Sequence, residues 1–411
     1  MKKTRFKQTE IGKIPENWEV KKLIEIADKG SEIVAGPFGS NLKVEDYRNK
    51  GFPIIRLQNI ERYNFIDKDI KYTTKEKYDE LKYHSFKTGD VVLAKLGDPI
   101  GKTCVVPKNI HRGLVVADVV RIRISKFKIN NYYLLYILNS DNIKNQLSSR
   151  RSGTTRPRVN LSDVRDLIIP LPPLQEQKAI AKILSSLDKK IELNEKMNKT
   201  LEAIGQVVFK KWFVDEREEE WKVSTIGEEL KTILGGTPSR GKPEYWDGDI
   251  NWINSGKVNK FRIIEASEKI TEEGLRKSAT SLLPERTVVL AITGATLGQI
   301  SRLEIGACAN QSVIGILENK KLSSEYIYFW IKNKIYDIIG FQTGGAQQHI
   351  NKTNVDNYPL LIPDEKTLDN FNKLVKPIFK QISVNCFQNQ TLSQIRDALL
   401  PKLINGGVRV R

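Results

Sequence analysis

The sequence predicts a mixed α/β protein. Two α/β domains are separated by a pair of long antiparallel helices forming a coiled coil, and the halves are related by a pseudo-two-fold internal repeat. Three observations predict this. Pro170 to Phe213 carries a heptad seam, the chain resembles itself at four places in the same order, and each half otherwise holds only short strand-like and helix-like runs.

The long stretch begins at a proline stop and then runs without further proline and with a single glycine, Gly205. Ile180, Leu184, Leu187, Ile191, Asn194, Asn198, Leu201, Val208 and Trp212 fall on alternating four- and three-residue steps. Such steps give a helix one narrow apolar seam that needs a partner helix.

The repeat supplies the partner. Trp18-Glu19-Val20 matches Trp221-Lys222-Val223, and Val91 to Gly101 matches Val288 to Gly298 as VVLAxxGxxxG. Gly153 to Asn160 sits opposite Gly344 to Asn351, an offset of 191 positions, and Leu171-Pro172 falls on Ile362-Pro363 at that same offset. Beyond Pro363, Phe371, Val375, Ile378, Ile382, Leu392 and Leu399 repeat the seam, with Asn385 equivalent to Asn194. Asparagines at a seam penalise slipped alignments and so set register. Within the halves, β-branched content predicts strands at 52–57, 90–95, 115–124, 287–292 and 312–317, and helices at 132–138 and 326–331. Asp215 to Glu220 (DEREEE) marks the boundary between halves.

Composition narrows the function. A hydrophobic content of 39% with 28% charged residues is that of a soluble globular protein, and there is neither a signal peptide nor a membrane-length apolar run. The three cysteines, Cys104, Cys308 and Cys386, are far apart, which excludes a disulfide scaffold or zinc knuckle and fits a reducing cytoplasm. The net charge of +18 points to a polyanionic partner, most simply nucleic acid. Gly97 to Thr103 is one residue short of a P-loop, and its second copy has no lysine. Pro363-Asp364 lacks the acidic completion of a PD-(D/E)xK nuclease, and the three histidines are scattered. There is neither an adenine-methylation loop nor a glycine-rich methyl-donor motif. No catalytic residue, metal site or cofactor is therefore expected.

Binding chemistry remains, and it is doubled. Ser149 to Arg158 packs four arginines among small residues, and arginine forks suit phosphate and the guanine edge. Its counterpart, Gln342 to His349, carries amides, which suit adenine. Gly235 to Arg240 leads to Trp246 and to Asn254 and Lys257, and Gly36 to Ser40 with Arg56 to Asn59 hold the analogous places in the first half. The two tryptophans, Trp246 and Trp252, read as core. Candidate DNA contacts are Arg56, Gln58, Lys95, Lys102, Arg150, Arg151, Thr154, Thr155, Arg156 and Arg158 in the first half. Ser239, Arg240, Asn254, Lys257, Gln299, Gln347 and Gln348 are the candidates in the second. Each could instead be a residue of an ordinary solvated loop.

Ile169 to Glu192, IPLPPLQEQKAIAKILSSLDKKIE, resembles the conserved region of type I restriction–modification specificity subunits. Thr237 to Val258 resembles the start of their target-recognition domains. The second copy departs from the motif, with Ile362-Pro363-Asp364-Glu365-Lys366 in place of the double proline and Gln-Glu-Gln. The resemblance implies target-recognition domains at 1–169 and 215–362 and conserved helices at 170–214 and 363–411. It implies a non-catalytic subunit that reads a bipartite site in double-stranded DNA, one half-site per domain. Two adenine-methyltransferase subunits would dock on it and bind the methyl donor, and restriction–translocase subunits would join them. The competing readings are a self-contained enzyme with an unfamiliar site and a DNA- or RNA-binding scaffold without such partners.

Overall fold

The computed structural model describes residues 5–27, 32–124, 127–153, 155–340 and 348–410. Two compact units are present: residues 1–191 with 391–411, and residues 192–390. Each long helix, Leu174–Lys210 and Glu365–Ile404, therefore contributes part of its length to both units.

In the first unit, one four-stranded sheet has the order 71–73, 52–55, 112–115, 85–87. Its strands Phe52–Ile55 and Arg112–Val115 are parallel. A second sheet, fully antiparallel, has the order 33–35, 119–122, 91–94, 103–105. Every residue of Val91–Ala94 and Val119–Ile122 is buried, as expected of central strands covered on both faces. Helix Asn131–Leu138 packs on this sheet, started by Asn130, whose side chain accepts from the Tyr132 and Tyr133 amides.

The second unit repeats the plan. Its antiparallel sheet has the order 232–234, 313–316, 288–291, 300–302, and its other sheet the order 268–270, 246–253, 308–309. In each unit a two-stranded ribbon ties the start of the mixed half to its end: Glu19–Lys22 with Ile168–Leu171, and Lys222–Thr225 with Pro359–Ile362. A buried tyrosine clamps each ribbon. Tyr133 donates to the Pro170 carbonyl at 3.0 Å and Tyr326 to the Leu361 carbonyl at 2.7 Å.

Several sequence expectations are corrected. Pro170 does not open the long helix; it lies in the ribbon, and the helix starts at Leu174 after two prolines that cannot continue the strand ladder. The expected strand 115–124 is two strands in different sheets, broken at Val116–Asp118, where the Val119 amide donates to the Val116 carbonyl at 2.9 Å. Beyond Leu201 the seam also shifts, burying Gly205, Phe209 and Phe213 where Val208 and Trp212 are only half-buried. Aromatic bulk drives the shift: Phe209 lies against Tyr326, Phe329 and Phe371.

Gly205 is the residue that lets these rings close on the helix. A Cβ there would lie 2.8 Å from the Phe329 ring, which is itself fully buried. Gly205→Ala is expected to be close to neutral, because about 1 kcal/mol of helix propensity offsets a small ring shift. Gly205→Leu should lose about 2–3 kcal/mol in urea denaturation, since a branched side chain must grow from a Cβ already in contact with Phe329 and Val375.

The seam asparagines pair across the repeat. Asn194 and Asn385 are equivalent at the 191 offset, as are Asn198 and Asn389. Asn194 donates to Asn389 at 2.8 Å, and Asn385 donates to Asn198 at 2.8 Å. Equivalent residues therefore cross-pair instead of facing each other, as an antiparallel two-fold requires. Asn194 also donates to Gln388 at 2.8 Å. These four asparagines all lie in the second unit, where 192–210 and 365–390 run antiparallel.

The proline–glutamine–glutamate motif faces inward in the first unit. Glu176 accepts from Trp18 Nε1 at 3.0 Å and from Arg409 at 2.6 and 2.9 Å. Gln177 accepts from the Asn130 amide at 2.9 Å and donates to the Pro172 carbonyl at 2.8 Å. The motif thus fixes the helix onto the mixed half and onto the chain end that follows the second helix.

Candidate nucleic-acid interface

In each unit five loops converge, and the same backbone hydrogen bonds hold them. The residue after each VVLA strand anchors the break between the two sheets: Lys95 donates to Asp118 at 2.9 Å, and Ile292 to Ser312 at 2.9 Å. The loop before the ribbon returns to the same place. Val159 donates to Lys95 and Ile350 to Ile292, each at 3.0 Å, while Gly97 donates to Pro157 and Gly294 to Gln348, each at 3.0 Å. The sheet break is also tied to the second strand loop, Val116 donating to Ile55 at 3.1 Å and Asn310 to Ile253 at 3.0 Å. Finally, Gly36 donates to Val119 at 3.1 Å and Gly235 to Val313 at 2.9 Å.

Gly36 and Gly235 are glycines for a steric reason. A Cβ on either would come within 2.2 Å of backbone atoms of Val116 or Asn310, which cannot yield as a side-chain tip can. Gly36→Ala or Gly235→Ala should separate the first-strand loop from the break.

On this duplicated backbone the side chains differ. Lys95 stands opposite Ile292, Lys102 opposite Gln299, Asp118 opposite Ser312, Arg158 opposite His349, and Arg56 opposite Asn254. Four cations of the first unit thus correspond to an apolar residue, two amides and an imidazole in the second, and the anionic Asp118 to a hydroxyl. Arg158 is half-exposed and pairs with Asp118 at 3.1 Å. Lys95 is half-buried beside them; burial, with Arg158, holds its ammonium below its ordinary pKa against the pull of Asp118. Arg151, Thr155 and Arg156 are exposed on the adjoining loop. Thr154 and Gln347 lie outside the described residues.

Other candidates are occupied within the chain. Arg56 donates to the Asp69 carbonyl at 2.5 Å, and Arg150 donates to the Asp163 carbonyl at 3.0 Å. Lys102 pairs with Glu61 at 2.7 Å, and Gln58 is exposed on the turn after Arg56. Arg150 is thereby engaged with the short helix Leu161–Arg165.

In the second unit, Arg240 stacks on Trp246, its guanidinium carbon 3.6 Å from the ring centroid, while Glu268 accepts from it at 2.5 and 3.0 Å. That hydrogen bond raises the arginine's pKa and lowers the glutamate's. Trp252 is core, as its sequence context suggested, and donates to the Gly236 carbonyl at 3.1 Å. Trp246 is half-buried under Arg240. Asn254 caps the short helical turn 255–259, accepting from the Lys257 amide at 3.3 Å, and Lys257 pairs with Glu265 at 2.6 Å. Ser239 and Gln348 are exposed and Gln299 half-buried.

The sheet breaks themselves, Val116–Asp118 and Asn310–Ser312, sit centrally among these loops and were missed by sequence reasoning. The break in the second half could have been suspected from Asn310-Gln311-Ser312, a polar run between two apolar ones. The first, Val116-Ala117-Asp118, gave almost no such signal. Phe38, 81% exposed on the first-strand loop, was also not singled out as an individual contact. Among the described residues no cluster of three or more His, Cys, Asp or Glu could hold a metal, and no helix is long and apolar enough to cross a membrane.

Comparison with known proteins agrees with this architecture. The family model for the type I restriction modification DNA specificity domain matches twice, over residues 15–203 and 218–385. A type I restriction enzyme specificity subunit, MjaIX of Methanocaldococcus jannaschii, is 28% identical, covering 99% of this chain and 97% of its own. The HindI specificity subunit of Haemophilus influenzae is 22% identical over 79% of this chain and 87% of its own. A crystal structure of the type I restriction–modification S subunit from M. genitalium superposes with a TM-score of 0.58 at 15% identity, covering 94% of this chain and 96% of that one, and so shares the fold. With its duplicated mixed halves, its two long helices and both family matches in the expected order, the chain belongs to the type I restriction–modification specificity subunits.

Proposed function

We propose that this chain is the non-catalytic DNA-reading subunit of a type I restriction–modification complex. Its two target-recognition domains, 1–169 and 215–362, each read one half-site of a bipartite sequence in double-stranded DNA. The helix pair Leu174–Lys210 and Glu365–Ile404, within the conserved segments 170–214 and 363–411, sets the distance between half-sites. Two methyltransferase subunits dock on it to modify adenines, and restriction–translocase subunits add cleavage. The observation that carries this reading is the loop cluster: one backbone scaffold built twice, with different polar side chains on it. Two readers of different sequences need that combination, whereas a scaffold has no use for varied side chains on conserved geometry.

Docking of partners is supported by Leu193, Met197, Ile204 and Val207, exposed at heptad-compatible spacing on the first long helix. An exposed apolar row of this kind suits a further helix.

The test is reconstitution. The purified chain with methyl donor should methylate nothing, and adding methyltransferase subunits should give adenine methylation at one bipartite motif. Methylation or metal-dependent cleavage by the chain alone would overturn the reading. Arg158→Ala and Arg156→Ala should relax or weaken the first half-site only, by about tenfold each if a base contact is lost. A residue that touches only phosphate should instead weaken all sites equally and reduce the salt slope by about one. Equal loss at both half-sites without a change in salt slope would contradict independent readers.

A further inference from the structure

We propose that Gln311 is a specificity-determining residue of the second domain, presenting its carboxamide to an adenine of one half-site; this rests on the DNA-reading function proposed above. Gln311 is exposed at the centre of the break between the two sheets, flanked by Asn310 and Ser312. The break is rigid. The Val313 amide donates to the Asn310 carbonyl at 3.1 Å, and the Asn310 side chain accepts from the Ser312 amide at 3.2 Å. Gly235 and Gly236 pass beside it with no side chain to cover it, their amides held by Val313 and Ala309.

The side chain is also oriented. Thr237 Oγ1 donates to Gln311 Oε1 at 2.5 Å. That bond uses one lone pair of the amide oxygen and leaves the other lone pair and both N–H groups available. These are what a glutamine needs to pair with adenine N6 and N7 in the major groove. Because the rotamer is already restrained before DNA arrives, less side-chain freedom is lost on binding. The equivalent position in the first domain is Ala117, placed by the same backbone bonds of Val116 and Asp118 and lacking any polar side chain. The effect of Gln311 is therefore confined to one half-site.

The experiment uses the full chain reconstituted with its methyltransferase subunits, a DNA pool randomised across the site, and sequencing of methylated adenines. The wild type must first return a bipartite motif; if it does not, the DNA-reading function itself fails. Given that motif, Gln311→Ala should relax discrimination at one position of one half-site by about tenfold to hundredfold. Thr237→Val, which keeps the shape and removes the donor, should relax the same position less. Gln311→Arg should move the preference there from adenine toward guanine, an outcome that loss of folding cannot mimic. An unchanged motif in the Ala and Arg variants would overturn the role of Gln311 while leaving the DNA-reading function intact. A uniform loss at every position would do the same, because it would reduce the Thr237–Gln311 bond to loop maintenance.

Discussion

Arg302→Ala is expected to destabilise the second unit by about 3 kcal/mol, the cost of taking from two buried carboxylates their closest partner and leaving only the longer contacts of Arg262 to Glu304 and Arg286 to Glu325. Arg302 is 3% exposed and donates twice to Glu304 at 2.9 Å and once to Glu325 at 2.8 Å. The side chains of Glu304 and Glu325 are 4% and 1% exposed, so water cannot replace the lost partner. The neighbouring Arg262 has an equally buried side chain, but its pairings are looser: Glu202 and Glu304 lie at 3.5 Å, and two of its nitrogens have no hydrogen-bond partner. Its position depends more on the rings of Tyr328 and Phe379, 4.7 and 4.9 Å away. Arg262→Met, which keeps the packing, should therefore cost clearly less than Arg302→Met. Urea denaturation followed by tryptophan fluorescence reports on this unit, because every tryptophan except Trp18 lies within it. Equal losses for the two arginines would show that ion-pair geometry does not control stability there.

That cluster also shows what a sequence reveals and what it hides. The long helices were legible because a heptad seam repeats over many turns, and the repeat because whole motifs recur in order. The break at Val116–Asp118 was not legible. Apolar residues continue on both sides, and the backbone partners that hold the break, Gly36, Ile55 and Lys95, come from segments more than twenty residues away in sequence. The shift of the seam to Phe209 likewise depends on rings contributed by helix Ser324–Ile339, more than a hundred residues away in sequence.

Charge was the most ambiguous signal. The surplus of +18 was visible at once, but not which cations are already engaged. Arg302 and Arg262 look like surface residues in the sequence and form a buried network with Glu202, Glu304 and Glu325. Lys102 and Arg150 look like free cations beside glycine turns, yet each has a partner within the chain. Local spacing cannot show this, because Glu61 lies 41 positions from Lys102. What spacing did carry was the pairing of Gly153–Asn160 with Gly344–Asn351, whose described parts both return to the turn after the VVLA strand.

The largest change in specificity is expected from the helices. Asn194 with Asn389 and Asn385 with Asn198 fix one register between the antiparallel segments, since a slip would leave buried amides without partners. A heptad inserted after Lys199 in the first helix and another before Val384 in the second preserve the seam on both sides of the insertions. Seven residues add about 10 Å of helix, or roughly three base pairs of B-form DNA. If the helix pair sets the span between half-sites, the methylated motif of this double insertion should keep both half-sites and gain about three base pairs of spacer. Insertion into one helix alone cannot keep the asparagine pairs together with the packing of Phe209 on Phe371, and should cost stability, not produce a new spacing. A double insertion that folds, methylates and retains the original spacer would remove the ruler from this account while leaving the two readers in place.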